Sequence, residues 1–260
     1  EFKKVVGKYY SPFKVTKLLD EIDALILEND LQFVEHSVSE SISGETIEVK
    51  INIFEGNKQL VERINIKGNT ITDESVVRAE LMLDEGDPFS NIKVEKSIAK
   101  LKSRNLFGEV LEVVSEGSSK DLKIIDISVE EKPTGEISAG AGVGTEGGSF
   151  SFNISENNWL GKGKKVSTFV NLNKTTFQGG FTVTDPNYDF SGNSLSYGLT
   201  TTTNDKPESG FKNKIYSSSV GVGFEQYRNI YISPGLTLSY DDLKVESTAS
   251  ESLKKQAGEF

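Results

Sequence analysis

The residue types that carry out covalent or metal-dependent chemistry are scarce in this chain of 260 residues. It contains one histidine, His36, and no cysteine. A Ser-His-Asp triad needs a histidine beside its serine, and a typical zinc site needs several His or Cys ligands. His36 falls in a segment that we predict to be an exposed strand, so we interpret it as a bystander. We therefore predict no catalytic residue, no metal site and no cofactor, and we expect that the chain is not an enzyme.

Acidic residues are the second group that could act chemically. Asp241 and Asp242 follow Tyr240 and could attract Ca²⁺, but they lack the spaced oxygen ligands of a dedicated site. We interpret this segment as a solvated acidic loop. The formal net charge of −10 also argues against a nucleic-acid partner, because phosphate binding needs a basic surface.

The stretch from Gly135 to Trp159 is distinguished by its many very small side chains and its strand-like alternation, and not by reactive groups. Apolar residues alternate with Ser or Gly from Ile137 to Val143, and the alternation resumes at Phe150 after a Gly-containing segment. A period of two residues predicts two strands joined by a tight turn at 145–148. The polar face carries Gly, Ser and Asn and almost no charge. One face suits hydrocarbon and the other a packed or watery interior, which is typical of a transmembrane β-barrel.

Further strands with the same alternation follow as a meander. They are predicted around 166–173, 177–184, 195–202, 216–224 and 230–240. Together with the first two they make seven strands of about 8–12 residues, the length that a tilted membrane strand needs. A soluble β-sandwich also alternates, but here the charged residues are concentrated in the connections, at 204–214 and 241–246. We predict an antiparallel transmembrane β-barrel, of which the chain holds the N-terminal seven strands only, with its closing strands beyond Phe260.

The residues before the barrel contain two copies of an α+β module. The second copy reads β-α-α-β-β, with a strand at Leu60–Lys67, a helix capped by Thr72 or Asp73, a helix from Ser90 to about Arg104, and strands at Phe107–Ser115 and Leu122–Glu131. One constant offset maps Pro12 onto Pro88 and Ile51 onto Ile127. The first copy, a helix at 11–29 and strands at 33–41 and 46–55, lacks its leading strand and helix. A fixed-period repeat indicates stacked modules with small cores, and the missing elements suggest an N-terminal truncation.

Several motifs resemble the POTRA-plus-barrel outer-membrane insertase family. The passage 53–70 resembles the junction between two POTRA (polypeptide-transport-associated) modules, and 80–108 resembles the last module before a barrel. The segments 142–146, 158–163 and 184–188 are similar to the opening barrel strands of the family. The order of these motifs along essentially the whole chain is more specific than any one of them.

The resemblance implies a domain organisation, a location and a function. It implies a truncated POTRA module at 1–57, the last POTRA module at 58–133 and a partial outer-membrane β-barrel at 134–260. The modules would lie in the periplasm and the barrel in the bacterial outer membrane. The implied function is the insertion and folding of other outer-membrane proteins by the central subunit of the barrel assembly (BAM) machine. The implied partners are accessory BAM lipoproteins, nascent outer-membrane proteins, periplasmic chaperones and outer-membrane lipid.

The resemblance also implies functional positions. In the family the first barrel strand pairs weakly with the last and opens sideways, so that a client strand adds to its edge. This lateral gate corresponds to Ile137, Ser138, Ala139, Gly140, Ala141, Gly142 and Val143. Their glycines would lower the cost of unpairing, or merely avoid crowding inside the barrel. Trp159 would lie at the membrane interface, or pack at a turn. Glu85 would contact an accessory lipoprotein, or be a solvated loop residue.

Other interpretations stay open. The edge strands at 33–41 and 107–115 would accept passing unfolded chains, or they are ordinary covered edges. The protein would otherwise be a related two-partner secretion or TamA-like translocation factor of the same superfamily. A soluble, adhesin-like β protein is the third possibility.

Overall fold

The computed structural model describes residues 6–29, 31–144, 147–227 and 230–259. The chain forms two compact units, of which the first contains Glu1–Gly68 and Glu80–Glu130 and the second Asn69–Ala79 and Glu131–Phe260. The predicted module boundaries after 57 and 133 remain predictions, but segment 69–79 groups with the second unit. No helix in the described part of the chain is both long and apolar enough to cross a membrane.

The first unit begins with a helix and a two-stranded sheet. Helix α1 (Pro12–Glu28) starts after Ser11 with a proline at its first position, as predicted, because that position needs no backbone donor. Strands β1 (Val34–Ser43) and β2 (Thr46–Glu55) pair antiparallel. Here the prediction that His36 is exposed is wrong. Its ring is half-buried and its Nε2 lies 2.6 Å from Oδ1 of Asp23 on α1, because its face of β1 turns towards the helix.

The first unit also holds the three-stranded sheet of the second module. Its elements are β3 (Leu60–Lys67), helix α3 (Asn91–Ser103), β4 (Phe107–Glu116) and β5 (Leu122–Glu131), with the short helix α2 (Glu74–Arg78) belonging to the second unit. The sheet order is β3-β5-β4, with β3 parallel to β5 and β4 at the edge. The core contains Val61, Ile64, Leu101 and Ile125, each at most 2% exposed. The order of these elements therefore agrees with the predicted β-α-α-β-β module, and β4 is an edge strand as predicted.

The second unit is dominated by an antiparallel meander. Its long strands are β6 (Gly135–Gly144), β7 (Gly147–Trp159), β8 (Lys164–Asn173), β9 (Thr176–Asp185), β10 (Ser194–Lys206), β11 (Phe211–Tyr227) and β13 (Gly235–Val245). These seven correspond to the seven predicted strands. Short elements complete the unit: a 3₁₀ turn (Pro207–Ser209), β12 (Ile230–Ile232), α4 (Glu251–Lys254) and β14 (Gly258–Glu259). The sheet order is β14-β13-β11-β10-β9-β8-β7-β6, and β12 pairs with β11. Of the predicted turn at 145–148, Thr145 and Glu146 lie outside the described residues.

Two predictions about the later strands are wrong. The segment 230–240 is not one strand, because Pro234 has no N–H group for the ladder and separates β12 from β13. The charged segments are largely not connections, since β10 continues to Lys206, β11 begins at Phe211 and β13 runs through Asp241 to Val245. Opposite charges support this extension, as Nζ of Lys212 lies 2.6 Å from Oδ2 of its cross-strand partner Asp205. The acidic segment 240–242 is therefore part of a strand and not a loop.

Phe169 interrupts the alternation of β8, and the structure gives the reason. It pairs with Gly180 of β9 on the face that carries the small residues. A Cβ atom at Gly180 would lie 2.3 Å from Cε1 of Phe169. The ring thus fills the space that the missing side chain leaves, a known device for stabilising glycines in sheets.

Candidate functional site

All seven predicted gate residues lie in β6, which ends the sheet of the second unit. Among the residues that the structure describes, β6 pairs only with β7, with Ile137 opposite Ile154 and Val143 opposite Gly148. Every residue of β6 is exposed, and Val143 reaches 93% exposure. The backbone groups on the far side of β6 are therefore in the position from which an added strand is bound.

The glycines of β6 face serines of β7. A Cβ atom at Gly140 would lie 2.9 Å from Oγ of Ser151, and one at Gly142 would lie 3.1 Å from Oγ of Ser149. These distances support the crowding interpretation for both positions, although a serine hydroxyl can rotate away. The resulting Gly–Ser pairs offer few side-chain contacts, so on this face β6 is held to β7 mainly by its backbone. The role of these residues in gating remains a prediction.

The N-terminal end of β6, called its base below, is by contrast held by polar side chains. Thr134 Oγ1 donates a hydrogen bond to Oε1 of Glu156, and the same carboxylate oxygen accepts from the backbone N–H of Asn158 at 2.7 Å. The carbonyl oxygen of Thr134 accepts from both the backbone N–H (3.3 Å) and Nδ2 (3.1 Å) of Asn157. The chain is thus tied to the end of β7 immediately before it enters β6.

Asn158 extends this network to residue 72. Its Nδ2 donates to Oγ1 of Thr72 at 2.8 Å, and its Oδ1 accepts from the N–H of Gly163 at 2.8 Å. Thr72 is 3% exposed and Asn158 is 9% exposed. Both residues are therefore buried polar groups whose hydrogen bonds are expensive to lose.

Glu131 binds the loop that contains Thr72. Its carboxylate accepts hydrogen bonds from the backbone N–H groups of Thr70, Ile71 and Thr72, the last at 2.6 Å, and from Oγ1 of Thr70 at 2.6 Å. Partial burial raises the pKa of Glu131, but the hydrogen bonds from Thr70, Thr72 and Ile71 outweigh it and lower the pKa from 4.5 to about 2. The carboxylate is consequently charged at neutral pH.

Segment 69–79 also contacts two turns of the sheet. The N–H of Asp73 donates to the carbonyl of Gly161 at 2.8 Å, in the turn between β7 and β8. Gly161 has φ +74°, and a Cβ atom there would lie 2.1 Å from the carbonyl oxygen of Ile71. Nδ2 of Asn187, in the turn between β9 and β10, donates to the carbonyl of Ala79 at 3.0 Å. Sequence reasoning missed these contacts, although the motifs 158–163 and 184–188 mark the two turns.

The two remaining predicted site residues lie where the sequence indicated. Trp159 ends β7 and is 48% exposed, and its place at the membrane interface remains a prediction. Glu85 lies in an exposed turn of the first unit, where its Oε1 accepts a hydrogen bond from the N–H of Ile64 at 3.0 Å. Glu85 thus has a structural contact, while its binding to a lipoprotein is untested. Within the described ranges, no three His, Cys, Asp or Glu residues are grouped so that they could hold a metal ion.

Comparisons with known proteins match two segments of the chain to family models. A POTRA model, described as a surface antigen variable number repeat, matches residues 59–132, and the Omp85 superfamily domain matches residues 158–259. The outer membrane protein assembly factor BamA of Neisseria meningitidis serogroup B is 30% identical over 195 residues. That alignment covers 74% of this chain and 24% of BamA, so the chain spans about a quarter of this curated relative.

Two solved structures share the fold. The crystal structure of BamA from Haemophilus ducreyi lacking POTRA domains 1-3 aligns with a TM-score of 0.63 at 21% identity, over 92% of this chain and 46% of that chain. CdiB from Escherichia coli aligns with a TM-score of 0.56 at 13% identity, over 96% of this chain and 48% of that chain.

The matches confirm the predicted fold class, α+β POTRA modules followed by antiparallel strands of an outer-membrane β-barrel. They also support the predicted location, with the barrel in the outer membrane and the modules in the periplasm. The chain thus carries a POTRA match followed by an Omp85 superfamily match, and it resembles the POTRA and barrel regions of the outer membrane protein assembly factor BamA.

Proposed function

We propose that the protein to which this chain belongs assembles β-barrel proteins and inserts them into the bacterial outer membrane, as the central subunit of a barrel assembly machine. The observation that carries the proposal is the 30% identity, over 74% of this chain, to a protein named as an outer membrane protein assembly factor. The small side chains of β6, which pairs with β7, are compatible with it.

The mechanism follows from the chemistry of a free strand edge. The backbone of β6 presents alternating N–H and C=O groups, to which the terminal strand of a client adds by β-augmentation. Because the side chains from Ile137 to Val143 are mostly Ser, Ala and Gly, the edge of β6 has little specificity for the side chains of the client strand. One site would therefore serve many different client proteins.

The proposed partners have separate places on the chain. Nascent outer-membrane proteins bind at Ile137–Val143, after delivery by periplasmic chaperones. Accessory BAM lipoproteins bind the POTRA region, with Glu85 as one contact. Outer-membrane lipid surrounds the exposed apolar residues of the sheet, and the ring of Trp159 lies at its interface.

A secretion or translocation function of the same superfamily is the second candidate. The fold likeness to CdiB, with a TM-score of 0.56 over 96% of this chain, favours it. In a channel of this kind the transported chain would pass along the small-residue face of the sheet and would not pair with the edge of β6.

Two cysteine positions in the full-length protein distinguish these functions. Ser138 of β6 and Thr200 of β10 lie in one row across the sheet, the row Ser138, Asn153, Phe169, Gly180 and Thr200. The chain contains no cysteine, so Ser138→Cys and Thr200→Cys are single reactive sites within it. We expect a client that carries a cysteine in its terminal strand to form disulfides with the Ser138→Cys variant. If the client forms disulfides only with the Thr200→Cys variant, the insertase function is rejected and the channel function is supported.

A further inference from the structure

We propose that a polar clasp at the base of β6 sets the register of this edge strand. The clasp consists of Thr70, Ile71, Thr72, Glu131, Thr134, Glu156 and Asn158. This inference rests on the proposed function, because the register of β6 matters most if client strands pair with its edge. The clasp itself is a property of the chain and needs no client.

The side chains of β6 cannot set a register by themselves. A strand is held in register when a shift would move a buried apolar face into water, whereas a Gly-rich strand without a buried face slips readily. Every residue of β6 is exposed, and Gly140 and Gly142 pair with Ser151 and Ser149. On the other face, a shift by two residues sets Ala139 against Phe150 in place of Phe152. A slipped pairing of β6 therefore costs little in side-chain contacts, so the register must be determined elsewhere.

The clasp fixes the chain at two points just before β6. At Glu131 the carboxylate accepts five hydrogen bonds from the loop 70–72, at 2.6 to 3.1 Å. At Thr134 the hydroxyl binds Glu156 and the carbonyl accepts twice from Asn157. Because these two residues lie on either side of a two-residue segment, the start of β6 has little freedom to move along β7.

Asn158 joins the two points into one network. It donates its backbone N–H to Glu156 and its side-chain amide to Thr72, which in turn donates its own backbone N–H to Glu131. The hydrogen bonds therefore run from Glu131 through residues 72, 158 and 156 to Thr134. A shift of β6 by two residues would have to break several of these bonds at once, two of them at buried residues.

Disulfide trapping in the full-length protein measures the register directly. Ala139 lies opposite Phe152 in the native pairing, so the pair Ala139→Cys with Phe152→Cys reports the native register. The pair Ala139→Cys with Phe150→Cys reports a shift of two residues. Hydrogen exchange of the β6 amides provides a second measurement that requires no cysteine.

Three variants that disturb the clasp, called clasp variants below, and two matched controls test the proposal. Glu131→Gln and Thr72→Val each remove polar contacts, with Glu130→Gln as the control for the lost charge. Gly161→Ala pushes a methyl group against Ile71. Gly192→Ala is the control for Gly161→Ala. Gly192 has a φ of +85°, so alanine there causes similar backbone strain, but its Cβ atom would meet nothing within 4 Å. We expect the clasp variants to speed hydrogen exchange in β6 about tenfold, as the loss of a buried hydrogen bond implies, and to yield the shifted disulfide.

The outcomes separate this proposal from the proposed function. If the clasp variants show only the native disulfide and wild-type exchange, or if the controls change as much as they do, the clasp does not set the register. Failure of clients to react with the Ser138→Cys variant would instead reject the insertase and leave the register measurement intact.

Discussion

The two units of the chain are stabilised in opposite ways. In the first unit the buried residues are mainly apolar, and Ile64, Leu101 and Ile125 are at most 2% exposed. In the described part of the second unit, glycine and polar residues make up most of the buried positions, with Thr72, Ser155, Asn158 and Asn187 as the polar ones and Val77 and Ala249 as the apolar ones. Its large apolar side chains lie on the surface instead, where Leu238 is 68% exposed.

The difference follows from the solvents of the two units. A water-exposed module gains free energy when apolar side chains leave water, so it needs a core. A barrel in hydrocarbon gains nothing by burying leucine, but every backbone group must find a partner, so a closed ladder and satisfied polar turns stabilise it. The same substitution should therefore have different effects in the two units, and each of the following predictions tests that contrast.

The largest expected difference concerns truncation of leucine. Leu101→Ala in the first unit should destabilise it by about 2–5 kcal/mol, since it removes a fully buried side chain and leaves a cavity. Leu238→Ala in the second unit should cost less than about 1 kcal/mol, as expected for an exposed position. Urea unfolding of the full-length protein in detergent, with probes in each unit, measures both values. Equal costs would contradict the division into a water-exposed and a hydrocarbon-exposed unit.

Charge on the surface gives the next contrast. Leu199, in the middle of β10, is 59% exposed, and Leu111 of β4 is 53% exposed. Leu199→Lys should cost about 2–4 kcal/mol if this residue faces the centre of the bilayer, whereas Leu111→Lys should change stability by no more than about 0.5 kcal/mol. Folding into lipid vesicles measures the first and urea unfolding the second. Tolerance of lysine at both positions would argue for the soluble alternative.

The smallest expected effect is the pH dependence of the polar clasp. Because folding lowers the pKa of Glu131 from 4.5 to about 2, its ionisation stabilises the folded state above about pH 4.5 and ceases to do so as pH falls towards 2. The difference in stability between wild type and Glu131→Gln should therefore be constant at neutral pH and shrink in acid. Thermal unfolding at several pH values measures it, with Glu130→Gln as the control. A difference that does not change with pH would show that Glu131 does not stabilise through its charge.

Much of this fold follows from local patterns. The alternation of apolar and polar residues located six of the seven long strands of the second unit and overlaps the seventh, β13, and β5 has the predicted bounds, Leu122–Glu131. Charge patterns were less informative. They suggested that 241–246 is a loop, yet β13 continues to Val245, because cross-strand pairing can support charged residues that have no strand preference of their own.

The candidate site divides in the same way. The sequence by itself determined β6, because a period of two residues with a small-residue face is a local signal that needs no knowledge of neighbours. Only the tertiary structure revealed the clasp, since the hydrogen bond between Thr72 and Asn158 joins residues 86 positions apart. Local preferences specify which segments form strands. Contacts between distant residues decide what holds those strands in place, and no periodicity in the sequence encodes them.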